Sequence, residues 1–156
     1  MDNNAKYDVI DIAKWFVNKQ PMTQKRLQKL CYYAQAWYFT LKEEKLEKTE
    51  YEAWIHGPVS PILWSNLRDS GMKEIKPIDF KFAKDIDNVD DIEFLEMVWN
   101  TYGSLGANSL EALTHTEAPW IQARGFCDPF ETCRNRISLE SMKAYYSTIY
   151  EGGYGE

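Results

Sequence analysis

His56 and His115 are the only histidines of the chain, and histidine is the side chain that most readily exchanges protons near neutral pH. His56 lies in the stretch YEAWIHGPVSP, residues 51–61, directly before Gly57-Pro58. Acid–base or nucleophilic catalysis also needs a nucleophile or a second acid in reach, and no GxSxG, HExxH, P-loop or GxGxxG motif occurs. We therefore predict no catalytic residue, and we interpret His56 as bracing its turn through hydrogen bonding.

A metal site is the second kind of chemistry that the sequence could support. His115, Cys127 and Cys133 are candidate ligands, but C-x5-C is a poor zinc spacing and the fourth ligand would have to come from a carboxylate that no motif marks. The third cysteine, Cys31, falls on the apolar face of a predicted helix. We expect three reduced structural thiols, no metal and no cofactor. Without a signal-like segment or an apolar run near 18 residues, we expect a cytoplasmic protein that does not enter membranes.

The charge distribution indicates a third candidate, a basic patch for partner binding. The net charge is −6, but residues 1–50 carry +2 and residues 51–156 carry −8. No acidic residue lies between Asp11 and Glu43. We expect an exposed patch that meets an acidic partner, formed by Lys19, Lys25, Arg26 and Lys29.

Two alternatives for these basic residues stay open. They are a merely solvated face, or a DNA reader in which residues 23–30 begin the second helix of a helix-turn-helix. The DNA reader is the weaker interpretation, because the helix continues far beyond recognition length and the overall negative charge repels phosphates.

The elements that carry these residues are mostly helical. Apolar spacing predicts a mainly α, compact single domain of about six helices over residues 1–150, followed by a flexible tail at 151–156. The clearest helix begins after Thr23, with Leu27, Leu30, Ala34 and Tyr38 along one buried stripe. Residues 51–56 predict a short strand that ends at Gly57-Pro58, a rigid architectural break. Residues 73–90 predict an irregular or edge-strand segment, with 74–82 as its extended part.

Four motifs in a fixed order give a resemblance to a known family. They are KRLQKLCYYAQAWYFTL, YEAWIHGPVSPILWSNLRDSG, LEALTHTEAPWIQAR and ISLESMKAYY. Together they resemble the Panacea domain, also called the SocA-like or GepA-like antitoxin domain, over residues 8–150. His56 departs from the family, which often has Tyr or Trp at that position.

The resemblance implies a helical domain from prophage and bacterial toxin–antitoxin loci that neutralises a cognate toxin by direct binding, without catalysis. One branch of the family delivers its toxin to an ATP-dependent protease. A further alternative is a phage counter-defence protein that inhibits a host system, again by direct binding. The family pattern, interpreted as mainly structural here, covers Leu27, Lys29, Leu30, Tyr33, Ala34, Trp54, Gly57, Pro58, Val59, Thr114, Glu117, Pro119 and Trp120.

Overall fold

The computed structural model describes the backbone of residues 4–154 and the side chains up to residue 150. Within this part of the chain there are seven α-helices, against the predicted number of about six. The mainly α prediction is confirmed. The helices are α1 Val9–Lys19, α2 Gln24–Lys42, α3 Pro61–Leu67, α4 Val89–Tyr102, α5 Ala107–His115, α6 Ala118–Arg124 and α7 Leu139–Tyr154.

Five short strands form two antiparallel sheets in the described residues. They are β1 Met22–Thr23, β2 Tyr51–Trp54, β3 Gly57–Val59, β4 Glu74–Ile75 and β5 Arg136–Ile137. One sheet has the order β3-β2-β5, and the other pairs β1 with β4.

The predicted strand at residues 51–56 is present as β2, but Gly57-Pro58 does not break the chain. Ala53 pairs with Pro58 and Trp54 with Gly57, which leaves a hairpin loop of two residues. Pro58 is tolerated because β3 is an edge strand, where the missing N–H of proline costs no ladder bond. In the predicted 74–82 segment only β4 is extended, and Pro77–Phe80 form a 3-10 helix instead.

Side-chain caps explain where three of the helices begin. The Ser60 hydroxyl accepts the Leu63 N–H ahead of α3, and the Asn88 carbonyl oxygen accepts the Asp91 N–H ahead of α4. The Ser138 hydroxyl accepts the Ser141 N–H at the start of α7. Each bond satisfies a backbone donor that has no partner inside its own helix.

Helix α2 lies at the centre of the fold. Its predicted stripe is buried, with Leu27, Leu30 and Ala34 fully inaccessible to solvent and Tyr38 nearly so. Burial extends around the whole helix, because twelve of its nineteen residues are buried, including polar Gln28 and Gln35. A helix packed on all sides has no continuous solvent face.

The predicted flexible tail falls mostly outside the described residues. The backbone of α7 is described to Tyr154, whereas side chains from residue 151 and the whole of residues 155–156 are not. Among the described residues, no helix combines the length and apolar character needed to span a bilayer.

Candidate functional site

The β2–β3 hairpin is the feature around which most of the predicted site residues gather. Gly57 has φ = +114°, a backbone conformation that residues with a side chain rarely adopt. A Cβ placed there would lie 2.6 Å from Lys29 Cε and 2.9 Å from Thr114 Oγ1. Both conformation and space therefore require glycine at this position.

His56, at the tip of the hairpin, is largely exposed and bonds to helix α5. Its Nδ1 lies 2.9 Å from Glu111 Oε2, and Lys25 of α2 forms an ion pair with the other carboxylate oxygen. Partial burial favours the neutral acid, but the hydrogen bonds from Lys25 and His56 outweigh it and hold the pKa of Glu111 below its ordinary value. His56 thus makes the kind of bracing hydrogen bond expected of it.

The back of the hairpin is held by helix α6. The Trp120 indole N–H donates to the Trp54 carbonyl at 2.8 Å, and Arg124 Nη1 donates to the Ala53 carbonyl at 3.2 Å. His115 stacks on Trp120 with ring centroids 3.9 Å apart. The hydrogen bonds use backbone carbonyls of the hairpin, so they fix its position whatever its side chains do.

Lys29 corrects the predicted basic patch. It was expected on an exposed face, but it is 1% exposed and its aliphatic chain crosses over Gly57. Burial lowers the pKa of Lys29 to about 7, although the charge of Glu111 acts in the opposite direction. The signal that could have placed Lys29 was the central position of α2, because such a helix leaves little solvent face for a mid-helix lysine.

The other members of the predicted patch are engaged within the chain. Lys19 Nζ lies 2.5 Å from Glu96 Oε2, and Lys25 pairs with Glu111 as described above. Arg26 donates to the carbonyl of Gly103. The sequence analysis treated these residues as one exposed basic patch. In the fold, carboxylates of helices α4 and α5 neutralise part of its charge.

A buried tyrosine–carboxylate cluster joins α2 to α7. Glu117 Oε1 accepts hydrogen bonds from the hydroxyls of Tyr33 at 2.8 Å and Tyr146 at 2.7 Å. Burial raises the pKa of Glu117 despite these two bonds. Tyr33 also stacks on Tyr102, with centroids 3.9 Å apart. Because the carboxyl group is 5% exposed and already bonded, this cluster fits a structural role.

The remaining family-motif positions lie where a structural role would place them. The side chains on α2 are in the core, and Thr114 packs against Gly57 from α5. The buried ones besides those already discussed are Leu27, Leu30, Ala34, Pro58, Val59, Thr114 and Pro119.

The cysteines and His115 do not form a metal centre. No group of three or more His, Cys, Asp or Glu residues in the described part of the chain could hold a metal ion. His115 stacks on Trp120, as described, whereas Cys133 lies buried and Cys127 only partly so. The three thiols are free.

Sequence reasoning missed an apolar groove between helices α2, α4 and α7. The groove has a volume of about 260 Å³ and includes Leu41, Met97 and Tyr150, which are 38%, 58% and 43% exposed. Its two main polar groups are bonded within the fold: Thr101 donates to the Met97 carbonyl, and Tyr102 accepts from the Trp37 indole. The groove therefore presents apolar surface on rigid elements. The sequence signal that could have found the groove is Leu41, which continues the apolar stripe of α2 three residues beyond Tyr38.

Comparison with known proteins identifies relatives of this chain. The family model described as "Antitoxin SocA-like, Panacea domain" matches residues 27–121, which contain the hairpin, Lys29 and Glu111. Antitoxin SocA of Caulobacter vibrioides (strain NA1000 / CB15N) is 31% identical over 112 residues, covering 64% of this chain. The chain spans 58% of the length of that relative. No solved structure matches.

Proposed function

The chain belongs to the family of SocA-like Panacea antitoxin domains, and we propose that it neutralises a toxin by direct protein–protein binding. It acts in the cytoplasm and catalyses no reaction of its own. The partner is a toxin encoded with it in a bacterial or prophage locus.

The exposed apolar groove between α2, α4 and α7 is the observation that best supports direct binding of the toxin. Soluble proteins rarely leave clustered apolar side chains exposed without a partner. Met97, the most exposed of the three named residues, lies on α4 between two neighbouring helices, so an apolar toxin side chain inserted there would lose contact with water on several sides. Buried apolar anchors of this kind dominate the energy of protein interfaces.

The basic patch receives a smaller role in this proposal. Lys19 and Lys25 already have carboxylate partners, so a toxin would have to displace Glu96 or Glu111 to pair with them. Exposed charge pairs contribute little affinity and mainly tune association rate. The same ion pairs weaken the case for a DNA reader, which needs free cations to replace counterions.

The test is a pair of charge insertions with a matched control. Leu41→Glu and Met97→Glu place a carboxylate in the groove, whereas Ile62→Glu changes a side chain that is 51% exposed on α3, outside the groove. We expect the two groove variants to lose toxin neutralisation in a growth assay and to stop co-purifying with the toxin. Ile62→Glu should retain both, and all three should melt within a few degrees of the parent.

A second arm separates simple binding from delivery to a protease. The toxin's half-life is measured with and without the antitoxin in cells that lack individual ATP-dependent proteases. Direct silencing leaves the half-life unchanged while growth recovers. A half-life that shortens only when one protease is present assigns the adaptor role, and full neutralisation by both groove variants refutes the groove as the binding site.

A further inference from the structure

A cavity of about 450 Å³ lies beside the β2–β3 hairpin, on the side that faces the first turns of α2. Its apolar wall includes Trp54, Val59 and Trp64, and the two indoles meet edge to face with centroids 5.7 Å apart. This volume lies within the range of sites for small molecules. The cavity is therefore large enough for a ligand with an apolar body.

The polar part of the wall contains basic side chains besides the neutral Gln24, Gln28 and Thr132. Lys25, Lys29 and His56 line the cavity, and no Asp or Glu is among the described residues that do so. Two carboxylates lie next to the wall and both already have partners: Glu111 is shared between Lys25 and His56, and Glu52 Oε1 accepts the Trp54 indole N–H at 2.8 Å. The ionisable side chains that line the cavity itself are thus basic.

Lys29 is the unusual member of this wall. It is 1% exposed, and no hydrogen bond or ion pair from the described residues reaches its amino group. A buried lysine without a hydrogen-bond partner costs folding free energy, because its ammonium loses most of its water and gains only the attraction of Glu111. An anion in the cavity would supply the missing contact.

We propose that this cavity binds a small-molecule carboxylate with an aromatic or branched apolar body. The carboxylate is held by Lys29, with Lys25 and His56 at the same end, and the body packs against Trp54 and Trp64. The site is distinct from the groove proposed for the toxin, and its ligand is tested on the isolated protein. Failure of one proposal therefore leaves the other standing.

Binding should depend on pH through Lys29. The charge of Lys29 interacts with those of Glu111 and His115 on α5 and of Lys25 on α2, and His56 at the hairpin tip lines the same cavity. Since burial lowers the pKa of Lys29 to about 7, the free amine loses its proton as pH rises, and anion binding then requires proton uptake. Affinity should fall about tenfold between pH 6 and pH 8 for a single proton taken up with pKa near 7.

The experiment follows the indole N–H signals of Trp54 and Trp64 by NMR while phenylacetate is added. The matched probe is phenylacetamide, which has the same shape without the charge, and inorganic phosphate supplies charge without the apolar body. We expect saturable shifts with phenylacetate, at a dissociation constant of about 1 mM or tighter for so small a ligand. Phenylacetamide and phosphate should bind at least tenfold more weakly, and Trp15 on α1 serves as a reference signal.

Three variants assign the binding to its residues. Lys29→Met keeps the aliphatic chain over Gly57 and removes the amine, so it should abolish the preference for phenylacetate and raise Tm. Lys14→Gln removes a cation of α1 outside the cavity, so it should keep both the preference and its pH dependence. Trp64→Ala, on the surface of α3, should weaken phenylacetate and phenylacetamide alike.

The proposal is overturned by any of three results. These are equal affinity for phenylacetate and phenylacetamide, undiminished phenylacetate binding by folded Lys29→Met, or no saturable shift at either Trp54 or Trp64. A Lys29→Met variant that melts well below the parent would also contradict it, since Lys29 would then serve the fold. In that case the amine would have an internal partner, and the cavity would need no anion.

Discussion

Gly57 gives the sharpest stability prediction, because a single added methyl group meets two independent obstacles. Alanine at φ = +114° is strained by about 1–3 kcal/mol. Its Cβ would also lie 2.6 Å from Lys29 Cε and 2.9 Å from Thr114 Oγ1. Since Lys29 and Thr114 are both buried and cannot swing into solvent, overpacking adds about 1–3 kcal/mol. We expect Gly57→Ala to cost about 2–6 kcal/mol in total.

The comparison is with His56→Ala, one residue earlier. His56 loses only a hydrogen bond to Glu111 at a largely exposed site, worth about 0–1 kcal/mol. Thermal melting by circular dichroism measures both, and for a chain of this size each kcal/mol corresponds to about 2–4 °C. Gly57→Ala should therefore lower Tm by about 4–24 °C, and His56→Ala by only about 0–4 °C.

Two further variants separate the two obstacles at Gly57. Gly71 also has positive φ, at +57°, but a Cβ there meets nothing within 4 Å, so Gly71→Ala reports strain alone. The crowding is tested by making Gly57→Ala in a Lys29→Ala background, where it should cost less than in the parent chain. Equal losses of Tm for Gly57→Ala and His56→Ala would refute this account of the hairpin.

Three other predictions follow from burial and charge. Leu30→Ala on α2, at a fully buried site, should cost about 2–5 kcal/mol in urea unfolding, and a loss below 1 kcal/mol would contradict its central packing. The double variant Lys25→Glu/Lys29→Glu should lose cooperative melting, because it places a carboxylate at the buried position 29. The single variant Lys25→Glu should melt within a few degrees of the parent. Burial raises the pKa of Glu47 well above its ordinary value, so its folded form keeps a proton that the unfolded chain releases above pH 4.5. Stability should thus fall as pH rises from 4.5 toward that raised pKa, and Glu47→Gln should increase Tm at pH 7.5 but not at pH 4.

The helices were predictable from sequence because their signals are local. The stripe from Leu27 to Tyr38 repeats at helical spacing, and Ser60 and Ser138 stand where caps are needed. Strand β3 was not predictable in this way, since Gly57-Pro58 is a turn signal by local rules. It becomes a strand because it pairs with β2, and β2 is in turn held by the bond from Trp120 of α6 to the Trp54 carbonyl.

The site was harder to predict than the fold, because its residues are paired across long sequence separations. Lys19 meets Glu96 and Lys25 meets Glu111, each more than 70 residues away. A count of charges along the chain shows that residues 1–50 are basic and the rest acidic, but not that the two parts face one another. Lys29 shows the same limit, since helical spacing places it beside Lys25 and only the packed fold shows that it is buried.

The internal pairing of charge bears on what kind of surface a partner can recognise. Positive side chains on α1 and α2 form ion pairs with carboxylates on α4 and α5. The opposite net charges of the two parts of the sequence are therefore largely used in contacts between these helices. A toxin selected by a free basic patch would have to break those contacts first. A toxin that inserts apolar side chains between Leu41 and Met97 breaks none of them, because the polar groups of that groove are bonded within the fold. Under the proposed function, the groove thus offers apolar contacts without the loss of an ion pair, and the charge-insertion variants test that surface directly.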